Sequence, residues 1–217
     1  MKPDNNVLPN YSLWDELHFS PNSESRDLPM PDGEVIIFHD FFGGKESDDF
    51  FQTLLSGIKW RQDKIRYYGK EMDLPRLTAW YGDKDKSYTY SRIPMKPEPW
   101  TPILLLIKER IETAAGVNFN SVLLNLYRNG RDSVSWHSDD EPELGENPTV
   151  GSVSFGQTRT LQFRHKLRKE LSKIDVQLTH GSLLLMKGQT QRFWQHQIPK
   201  TTRHLKSRIN LTFRVIY

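Results

Sequence analysis

The chain has 217 residues, of which 36% are hydrophobic and 26% are charged, and this length and composition fit one domain with a single hydrophobic core. A mean hydropathy of −0.67 and short apolar runs predict no transmembrane helix, so we expect no membrane partner. Cysteine is absent, which excludes disulfide bonds, thiolate nucleophiles and cysteine-based zinc sites. Any metal ion must therefore be bound by histidine and carboxylate side chains.

The formal net charge of +3 conceals an uneven distribution of charge. Residues 1–60 hold eleven acidic and four basic side chains, whereas the residues after Asp175 hold seven Lys or Arg and no acid. Such a basic part suits a polyanion, although a mixed charged surface that only keeps the protein in solution is the alternative. The aromatic residues, 6 Trp, 8 Tyr and 11 Phe, favour nucleic acid because bases stack on aromatic rings.

The N-terminal residues 1–32 are rich in Pro, Asn, Ser and Asp and contain few apolar side chains. This composition predicts a loosely ordered segment, followed by a single domain over residues 33–217. The segment also lacks the basic start and the apolar stretch of a secretory signal. We therefore expect an intracellular protein, cytoplasmic in a prokaryote and nuclear or cytoplasmic in a eukaryote.

Two helices are predicted in the first half of the domain. One lies in KESDDFFQTLLSGIKW, where Phe50 and Leu54 fall on one helical face. The other lies in TPILLLIKERIETAAG, with Pro102 in its first turn and Gly116 at its end. Between them, residues 65–93 alternate aromatic and polar residues and are interrupted by YGK, LPR and YGDKDK, which predicts β-hairpins.

From Asn120 onward the sequence follows a strand–turn–strand pattern. Seven segments carry this pattern: SVLLNLYR, SVSWHS, VGSVSFG, RTLQFRH, DVQLTHGSLLLMKG, RFWQHQIP and RINLTFRVIY. Short strands at this spacing, after two helices, predict a β-sandwich or a jelly-roll barrel.

The sequence WHSD contains the first two candidate metal ligands. Side chains two residues apart in a strand point to the same face, so His137 and Asp139 present an imidazole and a carboxylate together. Such a pair is common by chance and needs a third ligand. Four downstream histidines are candidates: His165, His180, His196 and His204. We favour His196 because it ends an aromatic strand, whereas the others lie in basic or turn surroundings.

Two histidines and one carboxylate leave coordination positions open, as in mononuclear non-haem Fe(II) oxygenases. A 2-oxo acid is a suitable reductant for such a site, and its distal carboxylate requires an arginine. Strand alternation in RINLTFR places four polar side chains on one face: Arg208, Asn210, Thr212 and Arg214. The alternative is that these arginines form exposed ion pairs.

Four segments, in order and spacing, resemble the AlkB-type Fe(II)/2-oxoglutarate dioxygenases, which are nucleic-acid demethylases: PRLTAWYGDKDKSYTYS, LLNLYRNGRDSVSWHSDDEPELG, GSLLLMKGQTQRFWQHQIPK and RINLTFR. The resemblance covers about residues 65–217. It implies a β-rich α+β fold whose core is a double-stranded β-helix (jelly-roll, cupin-like), with flanking N-terminal helices and a β-hairpin nucleotide-recognition lid at about residues 65–93.

The resemblance also implies a set of site residues. It gives His137, Asp139 and His196 as the iron ligands and therefore as the catalytic residues. It gives Arg208 as the partner of the distal carboxylate of 2-oxoglutarate. The other implied cosubstrate residues are Asn125, Tyr127, Asn210 and Arg214. Two of them, Asn210 and Arg214, lie with Arg208 on the strand face deduced from alternation.

The activity implied by the resemblance is oxidative demethylation with Fe(II), 2-oxoglutarate and O2, which releases formaldehyde, succinate and CO2. The implied substrates are 1-methyladenine and 3-methylcytosine in single- or double-stranded DNA, with RNA as a further polymer. A base must leave the stack to reach the iron, and a lesion that cannot pair is flipped at a lower free-energy cost. We expect a monomer.

Five further residues are expected to contact the substrate: Tyr68, Tyr88, Tyr90, Asp140 and Glu141. The resemblance implies that Tyr90, with Tyr88 two residues before it, stacks on the flipped base. Tyr68 aligns with a finger that fills the gap in a duplex, which is physically reasonable for an intercalating side chain. The acidic side chains Asp140 and Glu141 suit a methylated base that carries positive charge.

Two other functions remain open on the sequence. An Fe(II)/2-oxoglutarate hydroxylase or demethylase that acts mainly on RNA or on protein would have the same core and a different lid. A non-catalytic nucleic-acid-binding module would use the triad for a structural metal, but this leaves Arg208 and the open coordination positions without a role.

Overall fold

The computed structural model describes residues 24–67, 70–84, 88–90, 93–95 and 97–217. Within these ranges, no helix is both long enough and apolar enough to cross a membrane. The predicted finger residue Tyr68 lies outside the described residues, and so does most of the segment 1–32.

The described part of the chain contains three helices: α1 Gly44–Gly57, α2 Pro102–Ala115 and the short α3 Thr190–Phe193. The first two confirm the sequence prediction. The hydroxyl of Thr101 accepts a hydrogen bond from the backbone N–H of Leu104 at the start of α2, which satisfies a donor that the helix itself leaves free. Gly116 ends α2 with a φ of 73°, a left-handed conformation that glycine adopts without steric strain.

Fifteen strands are described: β1 Ser25–Asp27, β2 Glu34–Phe38, β3 Lys64–Tyr67, β4 Lys70–Asp73, β5 Leu77–Gly82, β6 Tyr88–Tyr90, β7 Ile93–Met95, β8 Ser121–Tyr127, β9 Val134–His137, β10 Val150–Gly156, β11 Arg159–His165, β12 Ile174–Leu178, β13 Ser182–Lys187, β14 Trp194–Ile198 and β15 Arg208–Arg214. A 3-10 turn, Pro142–Leu144, follows β9.

Two antiparallel sheets form the core. The large sheet has the strand order β1-β2-β13-β10-β15-β8-β5, and the small sheet has the order β12-β11-β14-β9. Apart from the consecutive pairs β1–β2 and β11–β12, neighbours in both sheets come from non-consecutive parts of the sequence, as a jelly-roll requires. The pairs β3–β4 and β6–β7 form two separate hairpins.

Two apolar clusters hold the layers together. On the outer face of the large sheet, Phe50 and Leu54 of α1 and Leu104 of α2 pack against strand residues such as Ile209 and Phe213. A second cluster lies between the two sheets. Strand β15 is buried along its whole length, because helices cover one face and the small sheet covers the other.

The small sheet shows the alternation of a one-sided sheet. In β14, Trp194, His196 and Ile198 are buried, whereas Gln195 and Gln197 are half-buried on the outer face. The same period of two holds in β11. The inward direction of His196 is therefore set by the apolar residues two positions before and after it.

The structure adds detail to the sequence prediction at three places. Within residues 24–32, β1 pairs with β2 and the indole of Trp194 donates a hydrogen bond to the carbonyl of Pro31 at 2.8 Å. Within the segment 65–93, where the lid is predicted, β5 belongs to the large sheet through its pairing with β8. The segment DVQLTHGSLLLMKG contains two strands, separated by a turn at Gly181 with a φ of 78°.

Candidate functional site

The structure brings the three predicted metal ligands together between the two sheets. His137 ends β9, Asp139 follows two residues later, and His196 lies in the middle of β14. Strand pairing places His196 opposite His137. One potential ligand atom of each residue lies within 4.8 Å of the others. This distance fits three donors around one metal ion.

The other three candidate histidines serve elsewhere. His165 accepts hydrogen bonds at Nδ1 from the backbone N–H groups of Leu167 and Arg168, and thereby stabilises the turn after β11. His180 accepts at Nδ1 from the backbone N–H of Gly156 at 2.8 Å. His204 is exposed. These three histidines therefore do not join His137 and Asp139 in the candidate metal site.

Asp139 is a carboxylate at the bottom of the site, with 2% of its surface exposed. Burial alone would raise the pKa of Asp139, but the positive charge of Arg214, the two histidines and the hydrogen bond from Arg214 lower it to about 2. Arg214 Nη2 donates to Oδ1 at 2.8 Å. Oδ2 is buried and makes no hydrogen bond. A buried anionic oxygen of this kind needs a cation, and a metal ion held with the two imidazoles supplies one.

The two imidazoles are also suited to metal binding. Burial, followed by the neighbouring His137, lowers the pKa of His196 to about 3, so this ring is neutral at physiological pH, the form that a metal binds. The Nδ1 atom of His137 lies 2.8 Å from the carbonyl oxygen of Ser135. A donor at Nδ1 leaves Nε2 of His137 as the free ligand atom.

Arg208 is a buried cation on β15, with 1% of its surface exposed. Its Nη2 donates to the hydroxyl of Ser154 at 2.9 Å, and its guanidinium carbon lies 5.1 Å from the ring centre of Tyr127. Nε and Nη1 make no hydrogen bond, and no carboxylate of the described residues forms an ion pair with it. Burial lowers the pKa of Arg208 to about 10. A buried cation without a counter-charge is costly, so this position fits an incoming carboxylate.

The amide groups of the site form a connected set. Asn125 Nδ2 lies 3.5 Å from Oδ1 of Asn210, and Asn210 Nδ2 donates to Ser152 Oγ at 2.9 Å. The even-numbered residues of β15 line the cavity, whereas Ile209, Leu211 and Phe213 lie in the helix-side core. The alternation predicted for RINLTFR is therefore confirmed.

Arg76 was not predicted from the sequence. It lies just before β5, is 3% exposed, and donates from Nε to Oδ1 of Asn125 at 2.7 Å and from Nη1 to the carbonyl of Ser133 at 3.1 Å. Its sequence context, LPRL, is typical of a surface turn and gives no signal of burial. Ser152 was missed for a similar reason, because a small hydroxyl residue in a strand is common.

The two acidic residues that follow Asp139 differ in exposure and in hydrogen bonding. Asp140 is exposed, and its Oδ2 accepts a hydrogen bond from Nζ of Lys166 at 2.9 Å. Glu141 is half-buried, and its Oε2 is buried without a hydrogen bond. Tyr88 and Tyr90 lie in β6, the first strand of the second hairpin.

One cavity contains the candidate metal ligands, the buried arginines and the amide groups described above. Its lining includes the three candidate metal ligands, the five residues predicted for the cosubstrate, and Arg76: His137, Asp139, His196, Asn125, Tyr127, Arg208, Asn210, Arg214 and Arg76. The apolar part of the wall comes from leucine, isoleucine, valine and methionine side chains of both sheets. The cavity thus combines a site for a cation, a site for an anion, and neutral hydrogen-bonding groups between them.

Comparisons with known proteins agree with this chemistry. The family model of the 2OG-Fe(II) oxygenase superfamily matches residues 34–214. Alpha-ketoglutarate-dependent dioxygenase alkB homolog 3 of Homo sapiens is 42% identical over 223 residues, which cover 99% of this chain and 74% of that protein. DNA oxidative demethylase ALKBH2 of Mus musculus is 39% identical over 208 residues, which cover 88% of this chain and 87% of that protein.

The fold has a solved counterpart in "The structure of OsALKBH1", with a TM-score of 0.63 and 16% sequence identity over 88% of this chain and 100% of that chain. This similarity shows the shared jelly-roll architecture. Enzymes of the matched superfamily use Fe(II), 2-oxoglutarate and O2, and the buried groups described above fit the first two. The chain belongs to the AlkB-type Fe(II)/2-oxoglutarate-dependent dioxygenases of the 2OG-Fe(II) oxygenase superfamily.

Proposed function

We propose that the protein removes methyl groups from N-alkylated bases, 1-methyladenine and 3-methylcytosine, in DNA. One observation carries this proposal most directly. A His-Asp-His group, in which Asp139 and His196 are buried and the carboxylate is ionised, lies in the same cavity as a buried arginine that has no described carboxylate partner. The relatives named DNA oxidative demethylase support the choice of substrate.

In this proposal His137, Asp139 and His196 bind Fe(II). When bound, Fe(II) and 2-oxoglutarate activate O2 to oxidise the methyl group, with loss of formaldehyde from the base and formation of succinate and CO2. Arg208 pairs with the distal carboxylate of 2-oxoglutarate, a charge-assisted contact that a planar guanidinium makes well. The cosubstrate is further oriented by neutral and cationic side chains of β8 and β15: Asn125, Tyr127, Asn210 and Arg214.

The substrate side of the proposal uses the acidic residues and the hairpins. Glu141 offers a half-buried carboxylate with one oxygen that has no hydrogen bond, which suits a positively charged methylated base. Asp140 contributes negative charge at the rim. Tyr88 and Tyr90 supply rings for stacking on the flipped base, and Tyr68 is the candidate finger for a duplex. We propose that these hairpins determine which polymer is preferred, single-stranded DNA, double-stranded DNA or RNA. We also propose that the protein acts as a monomer inside the cell.

The test is a demethylation assay with protein reconstituted anaerobically with Fe(II), then supplied with ascorbate, 2-oxoglutarate and air. Oligonucleotides with one 1-methyladenine or 3-methylcytosine are offered as single-stranded DNA, duplex DNA and RNA, and formaldehyde and repaired base are measured. His137→Ala should abolish turnover because it removes a metal ligand, and His204→Ala, an exposed histidine, is the matched control. No turnover on either DNA form by the unmodified protein would refute the proposal. Turnover on RNA alone would assign the enzyme to RNA.

A further inference from the structure

The loop that carries the carboxylate of the triad is fixed at three consecutive positions. Strand β9 ends at His137, so strand pairing does not hold the backbone of residues 138–140. Hydrogen bonds to other elements hold each of these residues instead: Ser138 Oγ donates to the carbonyl of Trp194 (2.9 Å), Asp139 N donates to Oε1 of Gln191 (2.9 Å), and Asp140 Oδ2 accepts from Nζ of Lys166 (2.9 Å).

Gln191 connects two of these three contacts. It lies in α3 with 1% of its surface exposed. Its Oε1 accepts from the backbone N–H of Asp139, its Nε2 lies 3.4 Å from Sδ of Met186, and its carbonyl accepts from Nζ of Lys166 at 2.8 Å. Lys166 in turn reaches Asp140. A buried amide is costly unless its polar atoms are bonded, and here the strong acceptor is directed at the backbone of the metal carboxylate.

Asp139 is thus held from two sides by different elements. Arg214 of β15 fixes Oδ1 of its carboxylate, whereas Gln191 of α3 fixes its backbone N–H. With both constraints, Oδ2 is the remaining oxygen, and it is the buried one that makes no hydrogen bond. A ligand must be held within a fraction of an ångström for tight metal binding.

We infer that Gln191 is a positioning residue of the metal centre, which acts through the Asp139 backbone to keep Oδ2 directed at the space shared with His137 and His196. Lys166 supports it by binding both the Gln191 carbonyl and Asp140. This inference rests on the proposed function only in taking these three side chains as the iron ligands.

The inference is tested by metal binding without 2-oxoglutarate, O2 or nucleic acid. Gln191→Met keeps the length of the side chain and removes the acceptor. We expect Mn(II), a redox-silent substitute for Fe(II), to bind about 10- to 100-fold more weakly, the usual effect of losing a contact that orients a metal ligand. The electron paramagnetic resonance signal of free Mn(II) gives the affinity, and the spectrum of the bound ion reports the altered coordination.

The matched control is Gln195→Met. This glutamine lies four residues further along, and its Oε1 accepts from Arg164 on the outer face of the small sheet, so the variant should keep the wild-type Mn(II) affinity. Thermal unfolding of the metal-free proteins separates a loss of the fold from a loss of metal binding. If Gln191→Met does not fold, Gln191→Asn replaces it, since an amide one methylene shorter falls short of the Asp139 N–H and should also weaken Mn(II) binding.

Wild-type Mn(II) affinity in the folded Gln191 variant, or an equal loss in Gln195→Met, overturns the inference. Neither outcome affects the proposed demethylation. Conversely, if His137→Ala binds Mn(II) as tightly as the unmodified protein, the triad is not the metal site and the proposed function itself fails. The two failures are therefore distinguishable in one set of titrations.

Discussion

Arg214 and Asp139 form a buried ion pair, with 2.8 Å between Nη2 and Oδ1 and at most 6% of either side chain exposed. The pair joins β15 to the loop after β9, and so connects the large sheet to the metal site. In the metal-free protein Arg214 provides the nearest positive charge for this carboxylate. A bound metal ion adds a second cation on the other oxygen.

Replacement of this arginine should therefore destabilise the metal-free protein more than the metal-loaded protein. Arg214→Met leaves the Asp139 carboxylate buried without its charge partner, and such losses cost about 3–5 kcal/mol. Urea unfolding with and without Mn(II) measures both effects, and Arg164→Met on the outer face is the control. An equal loss in the two states would show that the metal does not share the charge of Asp139.

Arg208 leads to a different expectation, because none of the described carboxylates pairs with it. Arg208→Met should leave metal-free stability unchanged or increase it, since an uncompensated buried cation is removed. The same change should weaken 2-oxoglutarate binding by about 2–5 kcal/mol, which is about thirtyfold or more. Calorimetric titration of 2-oxoglutarate into the Mn(II)-loaded variant under anaerobic conditions checks this. A variant that binds 2-oxoglutarate with wild-type affinity would remove Arg208 from the cosubstrate site.

The stability of the metal-free protein should depend on pH through the two buried ligands. The pKa of His196 is lowered from 6.5 to about 3, so the folded protein binds fewer protons than the unfolded chain. Its stabilising contribution is complete above pH 6.5 and is lost as the pH falls toward 3. The pKa of Asp139 is lowered from 3.8 to about 2, so its contribution is lost at still lower pH.

Urea midpoints of the metal-free protein between pH 7 and pH 4 follow this loss. His196→Asn should flatten the profile in that range, because it removes the group that the folded protein keeps neutral. His204→Asn, at an exposed position, should retain the wild-type profile. A wild-type profile in His196→Asn would contradict the assignment of the acid sensitivity to this ring.

Local patterns in the sequence predicted much of the site. The alternation of β15 depends only on neighbouring residues, so the polar face with Arg208 and Arg214 followed from RINLTFR alone. The selection of His196 depended on its place at the end of an aromatic-rich strand, which is also a local feature of the sequence. The ends of α2 were predictable because Pro102 and Gly116 act within one helical turn.

Features that depend on distant contacts were not predictable. Ser25–Asp27 is polar and exposed, and it is a strand only because β2 offers its edge. Arg76 is buried because Asn125, 49 residues away, accepts its hydrogen bond. The division of the acidic pair depends on Lys166, which lies 26 residues from Asp140. In each case the partner is set by sheet topology, which a short sequence window does not contain.

The divided acidic pair gives the final prediction. Asp140 is exposed and already paired with Lys166, so Asp140→Asn should change kcat/KM only slightly, as is usual for exposed ion pairs. Glu141 has a buried carboxylate oxygen without a hydrogen bond, so Glu141→Gln should lower kcat/KM for cationic 1-methyladenine while Mn(II) and 2-oxoglutarate binding are retained. The loss should be smaller for an oligonucleotide with a neutral N-methylated base, because a neutral ring gains less from a carboxylate. Equal losses for the two bases, or a larger loss in Asp140→Asn, would show that Glu141 does not select for positive charge.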